Sequence, residues 1–512
     1  MADTTSKAAN VAKLSVLTLA IMNVTAVVSL RGLPSEATYG LTSVFYYVFA
    51  AIFFLIPVSI VAAELATGWP QKGGVFRWVG EAFGPRWGFV AIFLLWVEST
   101  IWFPTVLTYG GVALAFAGPD QKWDEALAAN KFYTIAIVLI VYWAATFFTL
   151  RGLKAAASIS KWGGLIGTII PAAVLILLGF IYYFQGHTVP VQMAWKDLIP
   201  DFTNFNNLVL AAGIFLFYAG MEMNAIHVKE IDNPSRNYPL AILLSSIATV
   251  AIFILGTLAI AFIIPASQIN LVQSLLITYD DFFKAFGIAW ASPIMALALA
   301  FGVLGGVTVW VAGPSAGLAV VGRAGYLPPF FQKMNANGAP SHILLVQGLI
   351  VTFVSIMFVI LPSVQAAYQI LSQLTVTLYL IMYLLMFAAA IHLRFSEPDT
   401  PRPYKVPGGT AGMWFFSGIG LVGSLIALVL SFVPPSQISV GSPTTYIGIL
   451  IAGNVLFVAI PLIIYAMRKP YWKSTEASGE EFEPFNWERP DWRKQYPNAP
   501  ATKNVARMAP AE

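Results

Sequence analysis

Apolar runs of roughly 20 residues recur along almost the whole chain, and no other feature limits its fold so strongly. A bilayer core of about 30 Å needs such a run from each helix that crosses it. Within lipid every backbone N–H and C=O must find a partner inside the protein, which leaves helices or closed barrels. These segments are continuously apolar instead of alternating, so a barrel is excluded. Only 10% of the residues are charged, whereas a soluble domain carries about 25%. The expected class is therefore an all-α polytopic membrane protein.

Apolar length and Gly, Pro and charge punctuation place twelve spans, near 14–32, 41–66, 86–117, 132–150, 158–184, 206–228, 240–264, 290–320, 341–361, 364–393, 411–433 and 443–467. The first run has a short polar leader and no convincing small-residue cleavage site, so it reads as a retained span. The segment 267–288 carries Asp280, Asp281 and Lys284 and reads as a short external helix. Short loops give the orientation through their Lys/Arg bias. Before residue 468, one side holds fifteen Lys and Arg residues and the other five, which puts both termini in the cytoplasm.

The expected organisation is a cytoplasmic tail (1–13), spans one to five (14–184) with a re-entrant cytoplasmic segment (67–85), spans six to ten (206–393), spans eleven and twelve (411–467), and a cytoplasmic C-terminal tail (468–512). That last tail is mixed in charge and expected to be mobile, with docking of Trp472, Trp487 and Trp492 at the cytoplasmic mouth as the alternative. The net charge of +4 is too small to point to nucleic acid, and with no cysteine no thiol chemistry arises.

Two spans are interrupted. The first carries Asn23 and Thr25 near its middle, and the sixth contains "YAGMEMNA", with Gly220 and Glu222 where Leu or Val would serve a plain helix. Irregular backbone at membrane depth survives only against protein or a water-filled cavity. Breaks five spans apart point to a five-plus-five inverted repeat with two added spans, whose unwound backbone meets a substrate at the midplane. Ordinary helix–helix hydrogen bonding accounts equally for Asn23 and Thr25 on their own.

Ionisable residues inside spans are costly and are site candidates by default. Glu98, Lys161 and Glu222 qualify, Glu98 and Glu222 as proton or amine partners. Lys161 also reads as an ordinary positive-inside lysine. Arg31 and Glu64 lie near span ends. Snorkelling to the headgroups explains Arg31 as readily as a site role, and Glu64 is expected to brace the re-entrant segment. Tyr218, Trp310, Tyr379 and Tyr383 stand mid-span with a polar edge to place. The histidines, His187, His227, His342 and His392, are scattered over different segments, so no metal or nucleophile site, no cofactor and no enzyme activity is expected. Isolated polar residues instead of stripes argue against a channel.

The stretches "AELATGWPQKGGVFRWVGEAFGPRWGF" (63–89), "FYAGMEMNAIHVKEIDNPSRNYPLAI" (217–242) and "GVLGGVTVWVAGPSAGLAVVGRAGYLPPFFQKMNANGAP" (302–340) resemble the amino acid–polyamine–organocation (APC) superfamily. Most of the chain is similar to the bacterial glutamate/γ-aminobutyrate antiporters. The resemblance implies a LeuT-type fold of about twelve helices and sodium-independent, proton-linked exchange in the bacterial inner membrane. It places the first break at Asn23, Val24, Thr25 and Ala26, and the sixth at Tyr218, Ala219, Gly220 and Glu222. Trp310, Tyr379 and Tyr383 fall on path-facing positions of the eighth and tenth spans, and Lys161 on a fifth-span lysine that occupies the region of a sodium site. Two departures bear on substrate. Gly306 stands where the glutamate antiporters carry an acidic residue, and Glu98 where they carry a neutral amide. The expected activity is therefore antiport of an amino acid against a related amine or amino acid, with protons, small substrates and lipid as the partners. Proton symport of neutral, aromatic or cationic amino acids is the alternative.

Overall fold

A computed structural model describes residues 15–118, 120–151, 162–203, 209–224, 232–473 and 483–488. Every element introduced below is helical. The chain opens with α1 (Val16–Val27) and α2 (Leu33–Ala37), joined by an extended pair and one 3₁₀ turn. Then come α3 (Gly40–Gly68), α4 (Val75–Phe83), α5 (Pro85–Ala115), α6 (Gln121–Ala128), α7 (Lys131–Arg151) and α8 (Trp162–Phe184). The second half holds α9 (Gly213–Tyr218), α10 (Met221–Asn224), α11 (Pro234–Ala261), α12 (Ser274–Ala285), α13 (Ala289–Tyr326), α14 (Ser341–Ile360), α15 (Val364–Ser396), α16 (Gly409–Ser431) and α17 (Pro443–Ala466).

Among the described residues, ten of these helices are long and apolar enough to cross a bilayer, and the protein is a multi-pass membrane protein. The stretches expected as interrupted first and sixth spans are the short pairs α1/α2 and α9/α10. Burial sorts the long helices. In α5, 94% of the most apolar window is buried, against 22% in α17, so α5 is the central column and α17 faces outward. The α5 helix packs against α15, α13, α4, α7, α14 and α17. A π-helical turn at Ala51–Leu55 interrupts α3 and sets Phe54 against Phe215 and Tyr383, with ring centroids 5.0 and 4.9 Å apart.

Some connections depart from the sequence expectation. The segment 67–85 contains a nine-residue helix, α4, bounded by glycines at positive φ (Gly73, Gly74, Gly84). The positive φ at its ends explains the glycines, while its interior is regular. Within 267–288, expected as a short external helix, the helix is shorter, α12, and α6 is a second short helix that was not expected. Glu64 accepts from Arg394 Nη2 at 2.5 Å and from the Val406 N–H at 2.7 Å, with Arg402 Nε 3.2 Å away. It therefore ties α3 to α15 and to the chain after it, whose Arg402 lies over the Trp69 ring at 4.9 Å.

Part of the C-terminal tail is docked. The Arg77 guanidinium donates to the carbonyls of Glu483 and Pro484, and the Asn486 N–H donates to Glu81. Phe485 is fully buried against Phe76, and Trp472 is buried as well. Trp487 stacks on Phe485. Trp492 lies outside the described residues.

Candidate functional site

The sixth-span interruption is where the sequence placed it. α9 ends at Tyr218, Ala219 is extended, and Gly220 takes φ +107° before α10 begins. Only glycine adopts that conformation without strain. The turn brings Glu222 back toward α15, where both carboxylate oxygens are held. Tyr379 donates to Oε1 and Tyr383 to Oε2, each at 2.5 Å. The two tyrosines lie four residues apart, one helical turn, and their rings stack at 4.7 Å. The Gly220 N–H donates in turn to the Tyr383 hydroxyl at 3.1 Å. Glu222, Tyr379 and Tyr383 are all buried.

The first interruption lies later than expected. α1 runs unbroken through Asn23, Val24, Thr25 and Ala26 to Val27, and the extended residues are Val28 and Ser29. Asn23 donates to Ser245 Oγ at 3.4 Å, the interhelical bond that a buried amide needs in a membrane. The side chains of Thr25 and Ala26 lie outside the described set. Val28 (φ −68°, ψ 120°) and Ser29 (φ −135°, ψ 118°) occupy ordinary extended conformations. Such a break requires no glycine and leaves no mark in the sequence.

Between the two breaks lies a cavity of about 60 Å³, lined by Ser29, Arg31, Glu98, Trp102, Phe217, Trp310 and Tyr379 among others. Glu98, from the middle of α5, is buried and leaves Oε1 without a partner. Trp310 from α13 packs on Trp102 at 5.7 Å between centroids. Two placements bear on the sequence expectations. Arg31 does not snorkel: it is 3% exposed and reaches the cavity. Tyr218 is turned away, its hydroxyl donating to the Tyr47 carbonyl at 3.2 Å, and its neighbour Phe217 lines the cavity instead. Lys161 lies outside the described residues. Trp102 and Phe217 had no polar signal to separate them from the many packing aromatics of the chain.

The chemistry available is binding and proton exchange. One carboxyl, one guanidinium and an aromatic wall line a small cavity beside backbone that is out of helical register, and its Tyr379 holds the second carboxyl, Glu222. Residues 14–455 match a family profile described as amino acid permease. An uncharacterized transporter of Legionella pneumophila is 41% identical over 448 residues, covering 88% of this chain and 95% of that protein. A glutamate/γ-aminobutyrate antiporter of Lactococcus lactis is 32% identical, covering 90% of this chain and 91% of its own length. A protein of the same species named "Probable agmatine/putrescine antiporter" is 25% identical, with 84% and 89% covered.

Proposed function

The chain belongs to the amino acid permease family, and from that premise we propose that it is an antiporter exchanging an amino acid for a related amine or amino acid by alternating access. The observation that carries this reading is the Gly220 break with Glu222 held by Tyr379 and Tyr383. A helix built only to span would not place a carboxylate there, because its desolvation is costly. The glutamate/γ-aminobutyrate exchange of the Lactococcus lactis relative supports the substrate class.

In this reading the twelve spans form two inverted five-helix repeats plus two helices, in a bacterial inner membrane, with both termini cytoplasmic. The substrate's charged ends meet the breaks at Val28–Ser29 and Ala219–Gly220. Trp310 covers it, and Tyr379 and Tyr383 supply hydroxyls. Glu98 carries the coupled proton, supported by its buried, unpartnered oxygen on the cavity wall. By the family resemblance, Lys161 is the residue expected to make transport sodium-independent.

Counterflow tests the proposal. Liposomes carrying the purified protein and preloaded with an amino acid should take up labelled substrate many-fold faster than empty ones, without sodium. Equal rates would leave uniport or proton symport as the activity.

A further inference from the structure

Among the described residues the buried Arg31 guanidinium has no carboxylate in ion-pair contact; the Glu98 carboxyl lines the same cavity and attracts it only at longer range. Arg31 Nη1 donates to Thr105 Oγ1 at 3.1 Å and to Tyr368 Oη at 3.4 Å. Its guanidinium carbon lies 5.4 Å from the centre of the Trp102 ring and 5.8 Å from that of Phe217. These contacts are all neutral, and Nε has no partner. Among the described residues Arg31 forms no salt bridge, whereas buried Arg77 pairs with Glu81, and Arg394 and Arg402 pair with Glu64.

Arginine stays charged in a protein, so Arg31 cannot relieve its desolvation by losing a proton. Removing a charge from water without a counter-ion is unfavourable, and hydroxyls and ring faces offset that only in part. A structural arginine would be expected to have a carboxylate, as the other three have. Arg31 instead lines the cavity that Glu98, Trp310 and Tyr379 also line. The planar guanidinium fork matches a carboxylate. A missing anion on a transport cavity is one that the cargo can supply.

We infer that Arg31 holds a carboxylate of the transported molecule, so that the chain accepts carboxylate-bearing amino acids and ω-amino acids and rejects diamines and polyamines. A cargo with only ammonium groups would leave the guanidinium unpaired and bring like charge beside it, a repulsive element against the wrong substrate. This selects between the substrate classes named for the two Lactococcus lactis relatives. It rests on the transport reading above.

The test uses the full-length protein in liposomes preloaded with a panel of amino acids, γ-aminobutyrate, agmatine or putrescine. Carboxylate-bearing compounds should accelerate uptake and the two amines should not. Arg31→Gln should raise KM for the best acid about 10–100-fold, the loss of one hydrogen-bonded charge contact, and Arg31→Lys should recover part of it. Acceleration by putrescine as strong as by the best acid overturns the inference. So does an unchanged KM in Arg31→Gln, or a fall in maximal rate alone. If no compound accelerates uptake, exchange itself fails, and ligand-induced thermal stabilisation then decides on Arg31. Carboxylates should stabilise the wild type and not Arg31→Gln, and equal stabilisation overturns the assignment.

Discussion

Tyr383 ties Glu222 to the break that precedes it, donating to Oε2 at 2.5 Å while accepting from the Gly220 N–H at 3.1 Å. One hydroxyl thus fixes both the unwound backbone and the carboxylate. Among the described residues Tyr379 holds the carboxylate but makes no bond to the break. Tyr383→Phe should therefore lower exchange more than Tyr379→Phe does. A lost hydrogen bond to a charged group is worth about 1.5–3 kcal/mol, or roughly 10–100-fold in rate. Initial counterflow rates of the two variants check this, and a larger loss for Tyr379→Phe would refute the bridging role.

Gly220 is required for its conformation and not for space. A β-carbon would meet only Trp310 Cζ2, at an ordinary 3.8 Å. The φ of +107° costs an alanine about 1–3 kcal/mol. Gly220→Ala should lower both melting temperature and exchange. Gly306 lies in α13 with nothing within 4 Å of an added methyl, so Gly306→Ala should be tolerated. Equal behaviour of the two variants would remove the strain argument.

Glu98→Gln keeps shape and removes the titrating group from the cavity wall. The pH profile of uptake should flatten while the amount of folded protein stays unchanged. A profile that overlays the wild type takes Glu98 out of proton coupling.

Outside the spanning helices, Asp124 on α6 has its carboxyl pushed up to about 6 by burial, reinforced by Asp120, Asp280 and Glu125 and opposed by Lys284. A raised carboxyl favours the folded protein while it is protonated. The stabilisation is full below its ordinary value of about 4 and disappears as pH rises through about 6. Asp124→Asn should be the more thermostable protein at neutral pH, with its advantage shrinking toward acid. A melting-temperature difference that is constant with pH would contradict this.

The docked tail has one main apolar anchor, Phe485, set over Gly80 and Phe76. Removing a buried aromatic ring costs about 3–5 kcal/mol, more than the surrounding hydrogen bonds can offset. Phe485→Ala should release the tail and speed its cleavage by trypsin. Unchanged cleavage kinetics would show that Arg77 and Glu81 hold it unaided.

The membrane class, most span positions and the sixth-span break were legible because each has a local cause. Bilayer thickness imposes the apolar length, and a helix interrupted at positive φ needs a glycine, which Gly220 supplies beside Glu222. The first break has no such cause. Val28 and Ser29 are extended within the range open to any residue, so Asn23 and Thr25 drew attention to the wrong turn. The polarity that marked Asn23 serves its bond to Ser245.

Sequence by itself determined that the chain is a multi-span helical membrane protein with a carboxylate at a broken sixth span, since length, polarity and glycine act within one segment. Tertiary structure alone decided that Arg31 turns inward, that Phe217 and not Tyr218 lines the cavity, and that residues 483–488 return to α4. Helical periodicity predicts side-chain direction only while the helix lasts. Next to a break that direction depends on the path of the unwound backbone and on the neighbouring helices, Thr105 of α5 and Tyr368 of α15 for Arg31. Those neighbours are 74 and 337 residues away in sequence, and only the folded chain brings them together.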